Sequence, residues 1–120
     1  MPSSKVFHTE HQSATLVITP LINVSSLAGD HVQPELDGIL ALLQQPNTKN
    51  VVVDFSRVSY FGSVMLAATQ MLWKRVRARE GKMALCNVSE LGREILHIAK
   101  FDLIWPIYES QEEALEAVAK

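Results

Sequence analysis

A chain of 120 residues, 48% of them hydrophobic and 20% charged, is sized for one soluble domain with a real core. Its formal net charge of −2, with 11 Lys and Arg against 13 Asp and Glu, argues against a polyanionic partner. One cysteine, Cys86, cannot close an internal disulfide and fits a reducing compartment.

The N-terminal stretch MPSSKVFHTEHQ lacks the apolar core of a signal peptide, and no apolar run approaches the roughly 20 residues of a membrane span. A cytoplasmic, single-domain protein (1–120) without cofactor or metal is therefore expected. Lys5 to Glu10 alternates weakly and reads as a short first strand. Ala14 to Thr19, rich in β-branched residues, is a stronger second one, and the short gap between them predicts an antiparallel hairpin. Pro20 to Gly29 gives no clear pattern. A first helix is predicted from Asp30 as N-cap, with Pro34 in its first turn and Val32, Leu36, Ile39, Leu40 and Leu43 at helical spacing. Pro46-Asn47 stops it.

Val51-Val52-Val53-Asp54-Phe55 is a nearly unbroken apolar run, the pattern of a central parallel strand covered on both faces. A second helix follows from Ser63 to Arg79, with Met65, Thr69, Leu72 and Val76 on one stripe, widened by Leu66 and Trp73. Lys74, Arg75, Arg77 and Arg79 suit the negative end of its dipole, and Gly81 is placed to end it. That basic cluster reads as a solvated helix end, since no aromatic residue interleaves its exposed side.

Met83 to Cys86 is a further short strand. Ser89 caps a third helix, with Leu91, Ile95, Leu96, Ile98 and Ala99 expected inward. Leu103 to Tyr108 reads as a last strand, held at an edge or strand end by Pro106. Ser110 and Glu113 form a capping box for a closing helix that carries Ala114, Leu115 and Val118. From Val51 onward strands and helices alternate, so the predicted fold is α/β: a mixed, mostly parallel sheet with helices packed on it.

Chemistry is sparse. No glycine-rich phosphate loop is present, and His8, His11, His31 and His97 show no metal-ligand spacing. Cys86 reads as a small core residue. Asp54 ends an apolar strand where open α/β sheets place their sites, but with no second carboxylate in its loop the expected role is to accept a backbone N–H from that loop. Ser63 has no base near it in sequence to make it a nucleophile. Its plain reading is an N-cap accepting from Met65 or Leu66 N–H; its functional reading is a phosphorylation site, since a helix N-terminus tolerates a dianion.

The run from Val51 to Phe61, the loop serine with the Ala/Leu-rich helix behind it, Gly81 to Val88 and the helix of Ser110 to Val118 together resemble the STAS domain of bacterial anti-sigma factor antagonists. The resemblance covers the chain from about Val6. It implies a STAS-like fold and a regulatory, non-enzymatic module. In that family the strand-to-helix loop usually reads Asp-Ser-Ser/Thr-Gly, and the serine after the aspartate is phosphorylated by an anti-sigma factor with kinase activity. The corresponding residues here are Gly62, Ser63, Val64 and Met65, so the serine is kept while the aspartate and glycine are not.

Ser63 is thus the implied switch. Tyr60, Phe61, Gly62, Val64, Met65 and Leu66 are the implied contact surface, with Tyr60, Phe61, Val64 and Met65 expected to be exposed. The implied partner is an anti-sigma factor or serine protein kinase, with a phosphatase and a second copy of the chain as further candidates. A second reading, also drawn from the resemblance, is an unphosphorylated accessory subunit of a transport or lipid-trafficking complex.

Overall fold

The computed structural model describes residues 6–21, 32–59 and 62–119. Chain order gives β1 (Phe7–Gln12), β2 (Thr15–Pro20), α1 (Val32–Leu42), β3 (Asn50–Asp54), α2 (Ser63–Ala78) and β4 (Met83–Cys86). Then come α3 (Glu90–Ile98), a 3₁₀ turn (Phe101–Leu103), β5 (Ile107–Tyr108) and α4 (Gln111–Ala119). The five strands lie side by side in sequence order. β1 and β2 form the expected antiparallel hairpin, with Phe7 opposite Pro20 and Gln12 opposite Thr15. Every later neighbour pair is parallel. The predicted mixed, mostly parallel sheet is the one observed.

β3 sits at the centre, and its sequence shows why. Alternate residues point to opposite faces, so Val51 and Val53 enter a large core with Leu36, Ile39, Leu72, Leu85 and Leu96. Val52 enters a smaller one with Val17, Ala84, Cys86, Ala114 and Val118. α1, α2 and α3 therefore cover one face and α4 the other. The small side chains Ala84, Cys86 and Ala114 let α4 lie close to the strands.

Differences from the sequence reading have local causes. The first strand runs from Phe7 rather than Lys5. Its start is held by Glu35 of α1, whose carboxylate accepts from the backbone N–H of Val6 (3.1 and 3.2 Å) and Phe7 (3.0 Å). The proposed cap Asp30 and the stretch beyond Leu21 as far as His31 lie outside the described residues. α1 stops at Leu42, before Pro46-Asn47, and Arg79 donates to the Leu43 carbonyl at 2.6 Å just past its end.

Gly81 does not terminate α2 by a left-handed turn. Glu80 takes that conformation, with φ 61°, and Gly81 donates to the Val76 carbonyl. Glycine serves another need there: a Cβ would stand 1.9 Å from the Lys49 carbonyl oxygen.

The last predicted strand shrinks to Ile107–Tyr108. Lys100 turns left-handed (φ 66°), and both Ile104 and Trp105 donate to the Phe101 carbonyl, folding that segment into a 3₁₀ turn. Trp105, 1% exposed, stacks on Phe101 at 4.5 Å and meets Trp73 edge-on at 6.4 Å. That aromatic cluster outweighs the extended preference of the sequence. On α3, Leu96 is buried and Ile95 half-buried, but Leu91, Ile98 and Ala99 face solvent rather than the core.

Candidate functional site

Parallel strands place their carboxyl ends together, and at that end the β3–α2 connection leaves the sheet. Asp54 closes β3 there, 6% exposed. Its Oδ1 accepts from Ser56 N–H at 2.9 Å and Asn87 Nδ2 at 3.1 Å, and its Oδ2 accepts from Gln111 Nε2 at 2.8 Å. The backbone bond to the following loop is the one expected. The other two donors come from the end of β4 and the first residue of α4. They were not foreseen because Asn87 and Gln111 stand 33 and 57 residues away in sequence.

Burial alone raises the carboxyl's pKa. The hydrogen bonds from Ser56, Asn87 and Gln111 outweigh it, so the group titrates below the ordinary carboxylate range. Asp54 is accordingly a tie among three elements that is charged at neutral pH. Burial of the Cys86 thiol, with the negative charge of Asp54 as a second cause, pushes that thiol up to about 12. Cys86, fully buried, is the expected core residue and stays protonated at neutral pH.

Beyond Asp54, Phe55 N–H donates to the Cys86 carbonyl and Val58 N–H to the Phe55 carbonyl, so the connection starts as a tight turn. Phe55 and Val58 fasten it to the large core. Ser89 fixes it from the other side. As N-cap of α3, its hydroxyl accepts from Gly92 N–H at 3.0 Å and donates to the Ser59 carbonyl at 2.8 Å.

Ser63 opens α2 and is exposed. It is the first helical residue rather than the N-cap. Gly62 holds the cap position with extended backbone (φ −89°, ψ −175°), its carbonyl accepts from Leu66 N–H, and no side chain caps the helix. The first turn contains no acidic residue. An uncapped N-terminus without a carboxylate leaves Ser63 in the positive field of the helix dipole.

Among the apolar neighbours, Met65 follows the predicted α2 stripe and not the expectation that it is exposed. Met65 is 3% exposed and belongs to the core, one turn before Thr69, whose hydroxyl donates to the Met65 carbonyl at 2.7 Å. Its place at i, i+4, i+7 with Thr69 and Leu72 turns it inward. Gly62 is buried too, while Val64 and Leu66 are half-buried against the core. Tyr60 and Phe61 lie outside the described residues. Among the described residues no group of three His, Cys, Asp or Glu is placed to hold a metal ion, and no helix is long and apolar enough to cross a membrane.

The profile of the STAS domain matches residues 9–114. This chain belongs to the STAS domain family. A candidate anti-sigma factor antagonist of Bordetella bronchiseptica, BtrV, is 30% identical over 83 residues, which span 69% of this chain and 72% of BtrV.

Among solved STAS structures, an anti-sigma-factor antagonist domain protein from Planctomyces limnophilus superposes with a TM-score of 0.78 at 26% identity. That match covers 97% of this chain and all of the other. The unphosphorylated form of SpoIIAA, an anti-sigma factor antagonist, gives 0.75 at 22% identity over 95% of this chain and 96% of its own. The sheet order and helix placement described above are those of the anti-sigma factor antagonist STAS fold.

Proposed function

We propose that this STAS domain is a regulatory module that binds an anti-sigma factor with serine kinase activity through the surface around the α2 N-terminus, and that Ser63 is its phosphorylation switch. BtrV and the structural relatives, described as anti-sigma factor antagonists, support the class of partner. The placement of Ser63 carries the switch: a solvent-facing hydroxyl on the first residue of an uncapped helix whose first turn holds no carboxylate.

A phosphoryl group adds about −1.5 to −2 charges at neutral pH. At a helix N-terminus that charge is accommodated by dipole and N–H groups, so the fold keeps its stability while the docking surface changes sign. Such a module has no catalytic step of its own and acts in the cytoplasm, where sigma factors work.

Ser63→Glu is expected to weaken binding to the kinase about tenfold or more, while thermal stability is unchanged or slightly raised by the dipole. Ser63→Ala is expected to bind and to take up no phosphate. Intact mass after incubation with ATP and the cognate kinase reads the second outcome, and titration calorimetry the first. Equal binding by Ser63→Glu and wild type would refute the switch. A chain that stays unphosphorylated and co-purifies with a permease or ATPase subunit would favour the accessory-subunit reading instead.

A further inference from the structure

The 16 residues of α2 include Lys74, Arg75 and Arg77 and no Asp or Glu. Ser63, Ala67, Gln70, Lys74 and Arg77 recur at i, i+4, i+7, i+11 and i+14. That spacing sets them on one stripe, opposite the buried Met65, Leu72 and Val76. Ser63, Lys74 and Arg77 are exposed, with Ala67 and Gln70 half-buried between them. A rise of about 1.5 Å per residue puts Lys74 roughly 16 Å and Arg77 roughly 21 Å along the axis from Ser63. Arg75 is exposed on the flank of the stripe, and Arg57 is exposed in the connection that leads to the helix.

No ion pair joins Arg57, Lys74, Arg75 or Arg77 to any described residue. The carboxylates on the surrounding elements are engaged elsewhere or stand apart from them. On α1, Glu35 accepts from the start of β1 and Asp37 from Gln33. Around α3, Arg93 pairs with Glu109 and His97 with Asp102, and neither Glu90, Glu94 nor Glu80 reaches an α2 cation. The helix dipole accounts for Arg75 and Arg77 in the last turn, but not for Lys74 before it. No aromatic residue was expected among these cations, yet the Arg77 guanidinium lies over Trp73, 5.1 Å from the ring centroid. Stacking holds the planar fork in place and leaves its N–H edges to an incoming carboxylate. Arg and Trp are the side chains that most often anchor protein interfaces.

We infer that the outer face of α2 is a docking strip for an acidic surface of the kinase partner, whose carboxylates meet Lys74 and Arg77 while the same partner holds Ser63. The inference rests on the switch reading and adds the chemistry of the partner: an acidic patch roughly 16–21 Å from its serine-binding site. A protein is favoured over a nucleic acid or a lipid surface because the strip is narrow and the rest of the molecule opposes a polyanion. The other face of the sheet exposes Glu112, Glu113 and Glu116 on α4, and the chain as a whole has a formal net charge of −2.

Titration calorimetry of the full, unphosphorylated chain with the cognate kinase tests this. Wild-type affinity is expected to fall as salt rises. Lys74→Glu with Arg77→Glu is expected to raise the dissociation constant about tenfold or more and to flatten that salt dependence, and Lys74→Glu alone to give part of the effect. Both side chains are exposed, so the melting temperature is expected to stay near that of wild type. In a phosphorylation assay the double variant is expected to raise KM while kcat is unchanged and Ser63 is still the residue modified. Equal affinity and equal KM for wild type and double variant would overturn the docking strip and leave the switch standing. No binding by wild type and no phosphate on Ser63 would overturn the switch and the strip together. Wild type that binds vesicles rich in phosphatidylserine, with a double variant that does not and has unchanged kinase affinity, would overturn the strip in favour of a membrane.

Discussion

Asp54 concentrates the polar bonding at the carboxyl end of the parallel strands in one side chain. Its carboxylate is charged because three donors are aimed at it, and those donors belong to the β3–α2 turn, the end of β4 and the start of α4. A depressed pKa in the folded state means that the charge contributes stability above the unfolded-state value, near 3.9, and that this contribution is lost as pH falls through the folded value. Asp54→Asn is nearly isosteric but turns an amide N–H₂ toward donors. It is expected to destabilise the protein at neutral pH by about 1–3 kcal/mol. The gap from wild type should close on acidification below the unfolded pKa, as wild type loses its charge. Denaturant melts of both proteins across a pH series measure this. A gap that stays constant with pH would show that Asp54 acts through packing alone.

At the scale of elements, the sequence revealed what repeats locally and concealed what depends on a distant partner. The buried runs of β2, β3 and β4, the stripe of α2 and the Ser89 and Ser110 caps were visible because period and capping chemistry lie within a few residues. Glu113 N–H does donate to Ser110 Oγ, at 3.2 Å. The 3₁₀ turn was not visible, because the aromatic cluster that folds it joins Trp73 on α2 to Phe101 and Trp105. Nor was the outward face of α3, since apolar spacing alone does not say which flank of a helix meets the sheet.

The candidate site divides in the same way: Ser63 at a helix start and the inward turn of Met65, on one stripe with Thr69, Leu72 and Val76, were legible in the spacing, whereas the burial of Gly62 and the half-burial of Val64 depend on the depth of the core below. Gly81 shows a glycine signal taken for the wrong reason. Its hydrogen in place of a Cβ lets the backbone entering β4 pass against the Lys49 carbonyl. Gly81→Ala is expected to cost about 1–3 kcal/mol, read as a lower melting midpoint. A neutral result would mean that the two chain segments part without loss.

Across the whole molecule the two faces of the sheet are unequally covered. Among the described residues three helices share one core, whereas α4 alone seals the other, with Ala114 and Val118 over Val17, Val52, Ala84 and Cys86. Undocking of α4 is thus the smallest opening that would bring Cys86 to solvent and, through Gln111, release Asp54. Thiol labelling of native protein is expected to be slow, since Cys86 is both buried and held as the neutral thiol. Ala114→Asp, which places a charge under α4, is expected to speed labelling tenfold or more, while circular dichroism retains the sheet. Labelling at the wild-type rate would mean that α4 does not gate that face.

The two outermost strands set a further limit. β5 offers only two residues, preceded by Pro106, which has no N–H to give, and β1 carries His8, Glu10 and Gln12 along its length. Neither rim is a good template for a foreign strand. Growth of the sheet into fibrils is thereby discouraged at both ends, and encounters with other proteins are left to helices.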